Sequence, residues 1–210
     1  MNNEEYVKSI AGMFNFLAEI FYQNPTEELK DTISTLEIPL FVTKDANFNK
    51  LVFNHISELK TLAQQLPVLA LKQDFNILFV RPKGKKAYPW GSVYLNNQNR
   101  LFDQSTLDFM DFCQSNNLNF NLTQHEPTDH FALMLVALVY CLELDLQEQQ
   151  NRTKQLLEQH LLTWSDRFLC LVAEHSESRF YGASAELCML LLEDIKQANN
   201  IELKPVELFK

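Results

Sequence analysis

The chain has 210 residues, of which 46% are apolar and 21% charged, enough to bury the core of one domain or of two small lobes that share one. A formal net charge of -9 argues against nucleic-acid binding, which needs a basic face to neutralise phosphates, and suits a basic partner. Only 4 glycines are present, few for a protein built on tight hairpin turns; with abundant Leu, Phe, Glu and Gln this favours an all-α fold.

The opening stretch, MNNEEYVKSIAGMF, carries acids and no basic run before an apolar one, so it does not read as a secretory leader. Residues 4–23 predict a helix, with Val7, Ile10, Ala11, Phe14, Leu17, Ala18 and Phe21 at spacings of three and four. Asn24-Pro25 stops it and restarts a second helix, Asn24 as cap and Pro25 in the first helical position. Residues 46–66 form a third, with Phe48, Leu51, Val52, His55, Ile56, Leu59, Leu62 and Ala63 on one face, ended by Pro67. Residues 70–80 form a shorter helix carrying Phe75, Leu78 and Phe79.

From Arg81 to Arg100 the pattern changes. Pro82, Gly84, Pro89 and Gly91, with a basic run at Lys83, Lys85 and Lys86, predict a long ordered loop, a kind of segment that often carries function. Ser105 caps a helix carrying Leu107, Phe109, Met110 and Phe112. The polar, Asn-rich residues 115–126 are the candidate hinge between an N-terminal lobe, 1–114, and a C-terminal lobe, 127–210.

Pro127 opens the most apolar helix, FALMLVALVYCLEL, which belongs at the centre of the core. It is too short to cross a bilayer and ends in Glu143 and Asp145, so a cytoplasmic protein that is not integral to a membrane is expected. A helix over Gln150–Leu162 follows; Thr163 and Asp166 then resemble a capping box that starts a helix through Trp164, Phe168, Leu169, Leu171 and Val172. A last long helix runs from Phe180 to Ala198, and Pro205 marks a short tail. Cys113, Cys141, Cys170 and Cys188 form no C-x-x-C pair, and the last three sit in apolar helical patterns as small hydrophobes, so neither a disulfide framework nor a metal site is expected from them.

Two constellations bear on chemistry. His125, Glu126, Asp129 and His130 lie in H-E-P-T-D-H, where the histidines are five apart, not the four that places two ligands on one helical face, so no metal is assigned. The plainer reading is a helix start at which Glu126 or Asp129 pairs with free N–H groups. There is no G-x-S-x-G elbow and no phosphate loop, so no catalytic residue and no cofactor is assigned; a nucleotide-binding or nucleotide-hydrolysing accessory protein is the alternative function. The second constellation is aromatic: Phe75, Leu78, Phe79, Tyr88, Trp90 and Tyr94. Core packing suffices for Leu78 and Phe79, whereas Trp90, in a Pro/Gly loop, suits a groove that takes an apolar peptide with a basic end.

Residues 78–102, LFVRPKGKKAYPWGSVYLNNQNRLF, resemble the loop of the TorD/DmsD family of redox-enzyme maturation chaperones. The hallmark PWGSVxL stands at Pro89-Trp90-Gly91-Ser92-Val93-Tyr94-Leu95, E-P-x-D-H-F at Glu126-Pro127-Thr128-Asp129-His130-Phe131, and H-L-x-x-W-x-x-R-F-L at His160, Leu161, Trp164, Arg167, Phe168 and Leu169. The resemblance implies the family's all-helical fold and a non-enzymatic role: binding the twin-arginine leader of a molybdopterin reductase subunit, of dimethyl sulfoxide reductase type, and holding it back from Tat export until its cofactor is inserted. It assigns the leader pocket to Phe75, Leu78, Phe79, Trp90, Gly91, Pro127, Asp129 and His130, to which the acid Glu126 is added. It further implies contact with Tat translocase components; the polar hinge allows a monomer or a lobe-swapped dimer. Phe75 and Lys83 stand where relatives carry Trp, a departure that bears on which leader is accepted.

Overall fold

The computed structural model describes residues 3–36, 45–120 and 126–210, and among these the chain is helical with no strand. Helix α1, Asn3–Tyr22, turns Ile10, Phe14, Leu17 and Phe21 inward as its spacing predicts. Helix α2, Glu27–Thr35, is capped not by Asn24 but by Thr26, whose Oγ1 accepts from Leu29 N at 3.1 Å. Asn24 and Pro25 precede the helix because the hydroxyl at 26 already supplies the missing acceptor.

Helix α3, Ala46–Gln65, is capped by Asp45 and buries Phe48, Val52, Ile56, Leu59 and Ala63. Leu51, expected on that face, is 47% exposed: it precedes Val52 and points about 100° away. Helix α4, Val68–Phe75, continues into a π-helical turn, Asn76–Val80, closed by Arg81 N donating to Asn76 O at 3.0 Å. The wider turn lets the neighbours Leu78 and Phe79 both face the core while Val80 faces out.

The segment 81–100 is not all loop. It is pinned to the π turn by Lys86 N to Ile77 O at 3.2 Å and Ala87 N to Leu78 O at 3.0 Å, and then forms a short helix α5, Gly91–Leu95. Helix α6, Gln104–Ser115, starts after Asp103; Ser105 lies inside it and is not the cap. Residues 121–125, which include part of the expected hinge and His125, lie outside the described residues. Before that gap, Asn116 accepts from Tyr140 Oη at 3.4 Å and from Arg152 Nε at 3.1 Å.

Helix α7, Phe131–Glu148, is the central helix and packs most extensively on α1. It begins at Phe131, not at Pro127: Pro127 opens a turn closed by His130 N to its carbonyl at 3.3 Å, and His130 caps the helix in an extended conformation. Helix α8, Arg152–Leu156, runs into a second π turn, Leu157–Leu161. Helix α9, Ser165–His175, lacks the expected capping box, since Thr163 Oγ1 donates instead to His160 O at 2.8 Å. Cys170 is exposed on α9, contrary to its reading as a packed hydrophobe, while the other three cysteines are buried. Helix α10, Phe180–Ala198, has the expected bounds and packs on α9 and α3. The tail folds back, with Phe209 N donating to Tyr94 O at 2.9 Å. No helix among the described residues is long and apolar enough to cross a membrane.

Candidate functional site

The two motif segments meet. Phe131 N donates to Pro89 O at 2.7 Å and Gly91 N to Asp129 O at 3.2 Å, so that Trp90 and His130 pair in an isolated antiparallel bridge. Their rings lie edge to face, centroids 5.7 Å apart. This pairing explains why the helix start moves past Pro127: residues 128 and 129 form a turn and His130 is held extended against the loop.

Asp129 is fully buried, and its Oδ2 accepts from Ser92 N at 2.6 Å. It therefore serves the first turn of α5, which begins behind Trp90, and not the N-terminus of α7. Burial raises its pKa, and the hydrogen bonds from Ser92 work against that rise. The free N–H groups of α7 are met instead by His130, whose Nδ1 accepts from Ala132 N at 3.2 Å. A ring nitrogen that accepts is unprotonated, and burial pushes the His130 pKa down to about 3. Its Nε2 lies 3.8 Å from Glu126 Oε1, a contact between a neutral ring and a carboxyl, not an ion pair at neutral pH.

Gly91 sits where no other residue fits. A Cβ there would lie 2.7 Å from Trp164 Nε1 and 2.9 Å from Cε2. Trp164 is itself held, stacked on Tyr94 with centroids 5.4 Å apart. The third motif thus closes under the first.

A cavity of about 410 Å³ opens beside the bridge. Of the expected site residues, Phe75, Phe79, Trp90, Glu126 and His130 line it. Leu78, Gly91, Pro127 and Asp129 do not; all four are buried, and Gly91 and Asp129 line a separate cavity of about 210 Å³. The cavity also uses Phe21 and Tyr22 at the end of α1, Val80, Lys85 and Pro89, which sequence reasoning did not assign to the site. Phe21 was legible only as core, and Lys85 only as part of a solvated basic run. Phe79 meets Phe21 at 6.2 Å and Phe75 at 5.2 Å between centroids, giving the cavity an apolar floor.

Charge gathers at the mouth. Burial raises the Glu126 pKa, against the pull of a hydrogen bond from Tyr22 and the charge of Lys85. Burial lowers the Lys85 pKa, with Glu126 pulling it back up. Lys85 Nζ lies 4.7 Å from the centroid of the Trp90 ring. Lys83 is exposed and does not line the cavity. The arrangement suits a ligand with an apolar body and a cationic end.

Elsewhere, a larger cavity of about 670 Å³ lies between α9, α10 and the tail and holds none of the expected site residues. Among the described residues His55, Glu58 and Glu186 bring ligand atoms within 4.8 Å of one another, yet Arg179 already bonds Glu58 at 2.8 Å and Glu186 at 2.6 Å.

Residues 45–169 match the family model described as nitrate reductase delta subunit. The chain is 36% identical over 123 residues to the Tat proofreading chaperone DmsD of Salmonella typhimurium, a match covering 59% of each. It is 28% identical over 198 residues to a Haemophilus influenzae protein assigned as a Tat proofreading chaperone DmsD, covering 92% of this chain and 93% of that one. To the chaperone protein TorD of Vibrio atlanticus it is 26% identical over 191 residues, covering 85% and 89%. The chain spans about three fifths of the length of the Salmonella relatives it matches. A crystal structure assigned as a redox enzyme maturation protein from Archaeoglobus fulgidus shares the fold, with a TM-score of 0.56 at 18% identity over 89% of this chain and 93% of that one.

Proposed function

The chain belongs to the nitrate reductase delta subunit family, in its TorD/DmsD group, and on that footing we propose that it is a redox-enzyme maturation chaperone, not an enzyme, that binds a twin-arginine leader in the cavity beside Trp90. The observation that carries this reading is the bridge between Trp90 and His130, which places an indole face, an apolar floor and the Glu126 carboxyl on one cavity. The leader's apolar stretch lies on Phe75, Phe79 and Trp90. One of its guanidinium groups meets Glu126, because a planar fork of donors matches a carboxylate in a bidentate pair. Asp129, Gly91, Leu78 and Pro127 act one step back: Asp129 holds the turn that follows Trp90, and Gly91 lets Trp164 close beneath it.

A flexible leader loses conformational freedom as it docks, so the complex is releasable, as a holding role requires. In this reading the protein works in the cytoplasm. It keeps the catalytic subunit of a molybdopterin reductase of dimethyl sulfoxide reductase type from the Tat translocase until the cofactor is in place. The lobes 1–114 and 127–210 form one unit, as a monomer or as a dimer that exchanges them.

Calorimetry with a synthetic twin-arginine leader tests the assignment. Trp90→Ala and Glu126→Gln should each weaken binding by about tenfold or more, the loss that follows from removing an interaction of ~1.4 kcal/mol. Full affinity in both variants would overturn the pocket.

A further inference from the structure

We propose that Lys85 is a resident cation in the leader groove, occupying with its own ammonium the seat that the arriving arginine must take. This rests on the leader-binding reading above and adds its regulation: the free protein is self-occupied, and Lys85 sets how strong a leader must be to enter.

Three observations place the ammonium there. Its Nζ lies 4.7 Å from the Trp90 ring centroid and 5.2 Å from that of Tyr88, both within the range of a cation over an aromatic face. It lines the same cavity as Glu126, the group assigned to the guanidinium, and Trp90, whose indole face stands beside it. The backbone that directly follows it is fixed, since Lys86 N and Ala87 N donate to Ile77 O and Leu78 O at 3.2 and 3.0 Å, so the loop that bears the side chain is held against the groove. Its neighbours in the basic run behave differently: Lys83 and Lys86 are exposed and line no part of the cavity.

The exchange has a direction. An ammonium is a compact point charge with strong hydration; here it lies over the indole face and feels Glu126 through its charge alone. A guanidinium is planar, more weakly hydrated, stacks flat on an indole and grips a carboxylate with two parallel N–H donors. An arginine therefore displaces Lys85 at a gain, and a lysine on a competing peptide replaces like with like.

The test is calorimetry on the full chain with a twin-arginine leader and its twin-lysine counterpart. Lys85→Met keeps the stem and removes the charge. It should tighten both leaders by roughly fivefold, the scale of a half-buried cation on an aromatic face. The gain should be equal for the two leaders, because Lys85 acts on the free protein and is absent from the complex. Lys83→Met, with the same change in net charge on an exposed side chain, should gain less, and the difference should survive 0.5 M salt, where the Debye length shrinks to about 4 Å. A wild-type chain that binds the leader while Lys85→Met binds it no better, or while Lys83→Met gains as much, overturns the resident cation and leaves the pocket standing. A wild-type chain that binds no leader removes the leader-binding reading itself.

Discussion

Asp129 and Ser92, 37 positions apart in the chain, are joined by a buried 2.6 Å hydrogen bond in which the Ser92 amide donates to Oδ2. The bond fixes the start of α5 directly behind Trp90. Removing the acceptor with Asp129→Ala leaves a buried amide without a partner, at a cost of about 1–3 kcal/mol in urea unfolding at pH 7. Asp129→Asn keeps an acceptor oxygen and should cost less. Burial raises the Asp129 pKa, so the ionised form is disfavoured by folding. Stability in the wild type is therefore eroded as pH rises from the unfolded value through the raised folded one, and the Asn variant escapes that erosion. Equal stabilities for the wild type and the Ala variant would refute the tether.

Gly91 and Trp164 give the second prediction. A methyl at 91 would stand 2.7 Å from Trp164 Nε1, and the ring cannot yield easily because it stacks on Tyr94 and packs against Phe131, centroids 6.0 Å apart. Gly91→Ala should lower stability by about 1–3 kcal/mol, the usual cost of overpacking a core. In a Trp164→Phe background the same substitution should cost less, because the smaller ring recedes from position 91. A double-mutant cycle showing no coupling between the two sites would be incompatible with this contact.

How much of this was legible in the sequence differs by element. The bounds of α1, α3 and α10 followed from apolar spacing because each buries one face against a neighbour. The starts of α2, α7 and α9 did not, because a start is decided by which acceptor reaches the free N–H groups. At His130 that depends on a bridge to a loop some forty positions away. The π turns were hidden, since Phe75, Leu78 and Phe79 fit an ordinary α-helical face equally well. Trp90, Glu126 and His130 were found through the motifs. Phe21, Tyr22 and Lys85 were not: Phe21 meets every requirement of a core residue, and a lysine in a basic run looks solvated until the fold lays it over an indole.

Asp74 supplies a third prediction, remote from the cavity mouth. Its carboxylate is buried and accepts from Ser176 Oγ at 2.9 Å, Glu177 N at 3.2 Å and Ser178 N at 2.9 Å, with Ser178 Oγ as a further donor. These bonds tie the turn between α9 and α10 to α4, next to Phe75 on the cavity floor. Asp74→Ala orphans two backbone amides and should destabilise by about 2–4 kcal/mol. Asp74→Asn should fall between, because its NH₂ must face one of those donors. Thermal unfolding orders the three proteins, and an Asn variant as stable as the wild type would contradict the two-sided acceptance.

The buried histidines predict the acid limb of stability. Burial pushes His130 down to about 3 and His160 down to about 4, from an ordinary value of 6.5. Above 6.5 both are neutral whether the chain is folded or not, and neither contributes to pH dependence. As pH falls below 6.5 the unfolded chain takes up protons that the folded protein refuses, so stability declines until the folded values near 3 and 4 are reached. His130→Asn preserves a capping acceptor for α7 while removing the titration. His160→Gln removes the second ring from its place between Phe109 and Phe112, at 5.6 and 5.1 Å. Urea midpoints measured at pH 7.5 and pH 5 should fall less between the two conditions in each variant than in the wild type, whatever either substitution costs at pH 7.5. The carboxylates shared by all three proteins cancel in that comparison. A wild-type midpoint that does not move over this interval, or variants that lose as much as the wild type, would show that the two rings take up protons in the folded protein as freely as in water.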